Sequence, residues 1–169
     1  MPLPDWSGLL VDAGRLTSLY TEIPPLEGLV LRSVHLSPYG PGLKLRVELP
    51  RFPDRAPSAW TEARCDRFEA QIHFLAVGDD LRMRGTPDRT AVDVHLRSIP
   101  QRRLRVVTQG TDFTLEFTAA EALQVSHLNA YRSGEGDPYD ARRHFENHVD
   151  QRLYRILPPV TTRPFYDSP

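Results

Sequence analysis

A two-residue alternation of apolar and polar side chains recurs between residues 29 and 131. In the segment LKLRVEL (43–49), leucine and valine alternate with Lys44, Arg46 and Glu48, and the pattern returns over 68–74, 92–97 and 113–118. Successive side chains of a strand point to opposite faces, so each segment predicts a strand with one buried face and one solvent-exposed face. The turn signals PYGPG, GDD and QGTD between them favour antiparallel hairpins. We therefore predict one twisted antiparallel sheet of about seven or eight strands.

Two segments with helical spacing flank the strands. The first is DWSGLLVDAGRLTSLYTEI (5–23), where Pro24 ends the apolar pattern and Gly14 is a possible kink. In the second segment, Asp137 is a good N-cap, and an apolar stripe predicts a helix over 137–157. The stripe consists of Ala141, Phe145, Val149, Leu153 and Ile156. We expect the tail that follows, TTRPFYDSP, to be loose. A sheet with one apolar face needs a second layer, so we expect an α+β fold with both helices packed on the sheet.

The length and charge of the chain limit its organisation and its partners. With 169 residues, 40% of them hydrophobic, we expect one domain: a β-rich part with the N-terminal helix (1–131), and a C-terminal helix and tail (132–169) belonging to the same domain. The formal net charge of -1 gives no general attraction to nucleic acid or to an anionic membrane. Cys65 is the single cysteine and the N-terminus lacks the pattern of a signal peptide, so we expect a cytoplasmic protein.

The motifs of common catalytic and cofactor sites are missing from the sequence. It contains no phosphate-binding glycine loop and no GxSxG motif, and we expect neither enzymatic activity nor a cofactor. His144 and His148 are four residues apart on the predicted C-terminal helix, but HFENH lacks the glutamate of a zincin and no third ligand is evident, so we expect no metal. Cys65 is interpreted as a buried thiol, and His73 and His95 as solvent-exposed residues of strand faces.

The loop LPRFPDRAPSAW (49–60) follows a predicted strand and has two interpretations. Its prolines cannot donate hydrogen bonds to a strand ladder, so the loop would leave the sheet, and Trp60 would cover the core. Alternatively, a stiff loop would present Arg51 and Phe52 to a partner at a low entropic cost. The structural interpretation is favoured for Trp60, and both remain open for Arg51 and Phe52.

Several segments in this order resemble the immunity protein 50 family over residues 3 to 131. They are Trp6 in the first predicted helix, IPPLEGLVLRSVHLSPYGPGLKLRVELP (23–50), the proline loop with Trp60, and QIHFLAVGDDLRM (71–83). The resemblance implies a protein of bacterial polymorphic-toxin systems that protects the producing cell from a cognate toxin. Together with the missing catalytic motifs, it predicts stoichiometric occlusion of that toxin by a monomer or weak dimer.

The candidate partner-binding residues are Tyr39, Arg51, Phe52 and Trp60, from the PYGPG turn and the proline loop. Two other classes of function remain open. A small-ligand-binding β module would need polar groups converging in a pocket, whereas the inward positions are almost all aliphatic or aromatic. An adaptor subunit without any toxin has the same sequence features as an inhibitor, and only the genes next to it would distinguish the two.

Overall fold

A computed structural model describes residues 5–134 and 136–167 and contains one antiparallel sheet of nine strands. The order of the strands across the sheet is β4-β7-β6-β5-β1-β2-β3-β8-β9. Their bounds are β1 Leu29–Leu36, β2 Leu43–Glu48, β3 Arg67–Phe74, β4 Arg82–Arg84, β5 Thr90–Ile99, β6 Arg103–Gly110, β7 Thr114–Ala120, β8 Leu123–Tyr131 and β9 His144–Phe145. The predicted α+β class and the antiparallel sheet are confirmed. The strand count is higher than expected because β4 and β9, with three and two residues, are too short to show an alternating pattern.

The sheet is strongly curled, and its concave face holds the main core. The rings of Phe74 on β3 and Phe117 on β7 are 5.1 Å apart, although four strands separate β3 from β7 in the sheet. Just beyond β3, Leu75 accepts a backbone hydrogen bond from Ala120 at 2.9 Å, and Gly78 donates one to Thr118 at 2.8 Å. The apolar residues of the alternating segments therefore face one another across the concave side, as their period predicts.

The N-terminal segment does not form the predicted continuous helix. It contains a 3₁₀ turn at Trp6–Leu9 and a helix of four residues, α1 (Gly14–Thr17), so that Gly14 begins a helix instead of kinking one. Leu10 between them is extended and forms a bridge with Leu123 of β8. The apolar residues predicted on the helix stripe nevertheless cover the core, notably Trp6, Leu10, Leu16, Leu19 and Tyr20. The burial pattern was right, but contacts with the sheet replace helical hydrogen bonds.

The predicted helix over 137–157 is wrong. Asp137 does cap a helical turn, but this is the 3₁₀ turn Pro138–Asp140, which is followed by β9, α3 (His148–Leu153) and α4 (Arg163–Tyr166). Asn147 begins α3 as a new helix by accepting hydrogen bonds from Val149 and Asp150. Phe145 is buried in β9, whereas the other three distal members of the predicted stripe are exposed, namely Val149, Leu153 and Ile156. The tail predicted to be loose is packed over its described part, because Phe165 and Tyr166 are buried, and its last two residues, 168 and 169, lie outside the described residues.

The remaining helix, α2 (Ser58–Glu62), lies in the proline loop. None of the helices in the described part of the chain is long and apolar enough to cross a membrane.

Candidate functional site

The polar face of the sheet is divided into an exposed half and a covered half. On β5, Asp93, His95 and Arg97 are exposed, as predicted. On β1, β2, β3 and β8, this face is covered by the C-terminal segment, which we define as residues 137–167. The prediction of solvent exposure is therefore wrong for Lys44, Arg46, Glu48 and His73, all of which are buried. The physical reason is a second layer on the polar face, where no layer was expected.

Glu69 of β3 is the centre of a group of charges beneath this segment. Its carboxylate lies 2.9 Å from Nη1 of Arg143, 3.5 Å from Nε of Arg46 and 3.6 Å from Nε of Arg32. Glu69 and Arg143 have completely buried side chains. Glu48, 2.5 Å from Arg32, supplies the second carboxylate. We call these five residues the buried ion network; it contains three guanidinium groups and two carboxylates.

Tyr131 of β8 links the charges of this network. Its hydroxyl donates a hydrogen bond to Glu48 at 2.9 Å and accepts one from Arg32 at 2.8 Å, while the guanidinium of Arg143 lies 3.9 Å from its ring centroid. Burial, reinforced by the negative charge of Glu48, raises the pKa of Tyr131 to about 12. The phenol therefore stays protonated and acts as a donor to the carboxylate.

The end of the C-terminal segment is anchored to the same face by α4. Arg46 donates to the hydroxyl of Tyr166 at 2.5 Å, and Lys44 donates to its carbonyl oxygen at 2.8 Å. Phe165 stacks on His127 of β8 with 3.9 Å between the ring centroids. Burial raises the pKa of Tyr166 and lowers that of Lys44. The segment is thus held by aromatic and charged contacts, around a small apolar cluster separate from the main core.

A cavity of about 850 Å³ lies beside the network, between β1, β8 and the beginning of the C-terminal segment; its lining includes Arg32, Arg67, Tyr131, Arg142 and His144. Burial, together with the nearby charge of Arg142, lowers the pKa of His144. His144 lies in β9 and His148 begins α3, so the two histidines do not lie on one helix, contrary to the prediction. Among the described residues there is no group of three or more His, Cys, Asp or Glu side chains placed to hold a metal ion.

Of the residues predicted to bind a partner, Trp60 and Phe52 are brought together. Trp60 is 2% exposed in α2, and its ring centroid lies 5.9 Å from that of Phe68 in the core and 6.5 Å from that of Phe52. The structural interpretation of Trp60 is consistent with this position, while Phe52 stays half-buried at the surface. Cys65, shortly after α2, is the buried thiol that was expected, and burial raises its pKa.

Arg51 and Tyr39 lie at different ends of β2. Arg51 follows the strand, and its carbonyl oxygen accepts a hydrogen bond from Tyr20 at 2.5 Å while its guanidinium, which is exposed, donates to the carbonyl oxygen of Glu22. Tyr39 precedes the strand in the turn after β1 and is 77% exposed. A strand of six residues spans about 20 Å, so the four candidate residues do not form one compact cluster.

The immunity protein 50 family model matches residues 12–131 of the chain. The protein belongs to this family. No curated protein and no solved structure matches the chain. The matched range of this immunity protein 50 member contains β1 to β8, including four residues of the buried ion network, whereas Arg143 and the rest of the C-terminal segment follow it.

Proposed function

We propose that this protein binds a cognate bacterial toxin domain and neutralises it by stoichiometric occlusion, without catalysis. The observation that carries the proposal is the match to the immunity protein 50 family over residues 12–131. The toxin would belong to a polymorphic-toxin system, and binding would take place in the cytoplasm of the producing cell. The immunity protein would act as a monomer or weak dimer and would need no cofactor, nucleic acid or membrane.

Occlusion requires a rigid surface and a long-lived complex. The curled sheet supplies rigidity, because both its concave face and half of its polar face are covered by packed chain. Protection from a lethal toxin calls for a dissociation constant at or below ~10 nM, equivalent to roughly -11 kcal/mol. Affinity of this order commonly depends on a few aromatic or arginine side chains within an interface of ordinary size.

Tyr39, Arg51 and Phe52 are proposed as contact residues. Tyr39 projects from the turn between β1 and β2 and is 77% exposed, while the guanidinium of Arg51 is exposed and Phe52 is half-buried. Trp60 would act indirectly, by supporting the Phe52 ring from the core side. The hydrogen bond from the Tyr20 hydroxyl to the Arg51 carbonyl oxygen and the one from the Arg51 guanidinium to the Glu22 carbonyl oxygen hold the loop in one conformation, which lowers the entropic cost of binding.

The proposal is tested by co-expression with the toxin encoded by the adjacent reading frame. We expect growth to be rescued only when the immunity protein is at least equimolar, and the two proteins to co-purify in a fixed ratio. Rescue by trace amounts would instead indicate an enzyme that destroys the toxin or its product. Absence of both rescue and binding would contradict the proposal and favour an adaptor without a toxin partner.

A matched set of alanine variants tests the contact residues. Tyr39→Ala, Arg51→Ala and Phe52→Ala should each weaken binding of the toxin, whereas Arg97→Ala, in an exposed residue of β5, serves as the control. The melting temperature of each variant shows whether a loss of binding is a loss of folding. If all three variants bind like the wild type, the toxin contacts another surface.

A further inference from the structure

The C-terminal segment has an unusual distribution of side chains. Toward the sheet it places charged and aromatic groups, including Arg143 and Tyr166, in contact with the buried ion network. Toward solvent it places Val149, Leu153, Ile156 and Val160, which are 62%, 64%, 48% and 61% exposed. These four residues, which we call the C-terminal apolar patch, make up half of the eight exposed large hydrophobic side chains found among the described residues.

This arrangement follows from the face that the segment covers. The sheet beneath presents arginine, glutamate and histidine, so the segment turns its own polar groups inward to pair with them. In α3, Asp150 is buried and lies 2.8 Å from Nδ1 of His127. Val149 and Leu153 are four residues apart in the same helix and therefore lie next to each other on its outer side. Large aliphatic side chains held outward in a fixed conformation are typical of an interaction surface.

The charges around the patch favour one kind of partner. Arg152, Arg155 and Arg163 are exposed among the aliphatic residues. Between residues 148 and 163 the sequence has a single carboxylate, that of Asp150, and it is buried against His127. Along residues 148–163, exposed aliphatic side chains are thus interspersed with positive charges that no exposed carboxylate of these residues neutralises, although the whole chain has a formal net charge of -1.

We propose that the C-terminal apolar patch is a docking surface for the toxin, and that the toxin presents an apolar surface bordered by carboxylates. This inference rests on the proposed function and adds a surface beyond the family-matched residues 12–131. A second copy of this chain is a poor occupant. A symmetric dimer would place two copies of this arginine-containing surface opposite each other, and like charges facing each other across an interface oppose association.

Tyr39 borders the end of the C-terminal segment. A smaller cavity of about 340 Å³ is lined by Tyr39, Lys44 and His73 on one side and by Asp167 on the other. His35, at the end of β1, lies 2.7 Å from the Asp167 carboxylate. The turn between β1 and β2 and the end of the segment are therefore joined into one surface, which Arg51 and Phe52, beyond the other end of β2, do not share.

The apolar part of the proposal is tested with the double variant Val149→Ser/Leu153→Ser. The probe is a purified, catalytically inactive form of the toxin domain encoded by the adjacent reading frame, and its dissociation constant is measured by calorimetry or surface binding. We expect the double variant to bind at least about 30-fold more weakly, the effect of losing an interface hot spot. Its melting temperature should equal that of the wild type, because both side chains are exposed. The control is Met83→Ser, at an exposed residue of β4 on the opposite edge of the sheet.

The charged part is tested with Arg152→Glu/Arg155→Glu. Attraction between the arginines and an acidic toxin surface speeds encounter, so the variant should associate more slowly, and its association rate should depend less on salt. Arg82→Glu/Arg84→Glu on β4, at two exposed residues, changes the net charge by the same amount and is the matched control. If the control associates more slowly to the same extent, the effect comes from the overall charge of the protein. That result would overturn the inference that the arginines beside the patch face an acidic toxin surface.

The remaining outcomes separate this inference from the proposed function. If the wild type binds the toxin and the Val149→Ser/Leu153→Ser variant binds equally well, the inference is wrong while the proposed function stands. If the wild type sediments as a dimer that this variant abolishes, the patch is occupied by a second copy and the inference is again wrong. If the wild type does not bind the toxin, the proposed function fails and the inference fails with it.

Discussion

Nη1 of Arg143 lies 2.9 Å from Oε2 of Glu69, and both side chains are completely buried. The pair connects the C-terminal segment to β3. Desolvation of two charges offsets much of their attraction, so such a pair contributes little to stability compared with an apolar pair of similar volume. Its effect here is positional: it holds the segment with its polar side inward and the C-terminal apolar patch outward.

The first prediction compares the two partners of this pair. Glu69→Gln removes the carboxylate that faces Arg32, Arg46 and Arg143, so it should lower the free energy of unfolding by about 3–5 kcal/mol. Arg143→Met should cost less, because Glu69 keeps two arginine neighbours. Urea denaturation of both variants gives the comparison, and a larger loss for Arg143→Met would contradict the central position of Glu69.

The second prediction concerns two residues that the sequence placed on one helix stripe. Phe145 is 5% exposed and packs against the Phe165 ring at 6.1 Å between centroids, so Phe145→Ala should cost about 3 kcal/mol. Leu153 is 64% exposed, and Leu153→Ala should change stability by less than about 0.5 kcal/mol. Equal losses in denaturant melts would mean that a continuous helix packs on the sheet after all.

The strands could be predicted because the alternation of apolar and polar residues can be read from the sequence without knowing which strands pair with each other. The helices could not. The N-terminal segment buries the expected apolar residues, yet Leu10 pairs with Leu123 instead of continuing a helix. Around Phe145, apolar spacing indicated a helix, but pairing with Asn129 at the sheet edge gives a strand. In both segments a tertiary contact outweighs a short local pattern.

The covering of the polar face was not predicted, because a strand face with charged side chains is normally exposed to solvent. One signal was available only after strand pairing: Glu48 and Glu69 lie directly opposite each other on β2 and β3. Two like charges in this position are unfavourable unless cations from elsewhere join them. Arg32 and Arg143 supply those cations, and Arg143 comes from a segment whose position the sequence does not reveal.

The third prediction separates the supporting tryptophan from an exposed contact residue. Trp60 is 2% exposed against Phe68, so Trp60→Ala should lower the free energy of unfolding by about 3–5 kcal/mol. Tyr39 is 77% exposed, and Tyr39→Ala should leave stability within about 0.5 kcal/mol while weakening toxin binding. Thermal melts together with toxin titrations provide the measurement. A stable Tyr39→Ala variant with unchanged affinity would remove Tyr39 from the interface.

The last prediction concerns the pH dependence of stability. Burial, together with the positive charge of Lys44, lowers the pKa of His73 in the folded protein below its ordinary value of 6.5. The unfolded chain then binds the proton more readily than the folded one. The contribution of neutral His73 to stability is therefore fully present above about pH 6.5 and is lost as the pH falls through the folded pKa. Hydrogen bonding and nearby arginine lower the pKa values of carboxyl groups such as Asp54 and Asp137, whose contribution is lost only as pH falls below about 4.

The test is urea denaturation at pH 7.5 and pH 5.5. The wild type should lose stability at the lower pH, and His73→Gln should lose less, because glutamine does not titrate. The loss should not vanish, since burial and Arg142 also lower the pKa of His144, which acts in the same direction. His95→Gln is the control, because His95 is exposed on β5 and should keep the wild-type pH dependence. An identical loss in the wild type and in His73→Gln would show that protonation of His73 is no less favourable in the folded protein than in the unfolded chain. The C-terminal segment would then not desolvate His73.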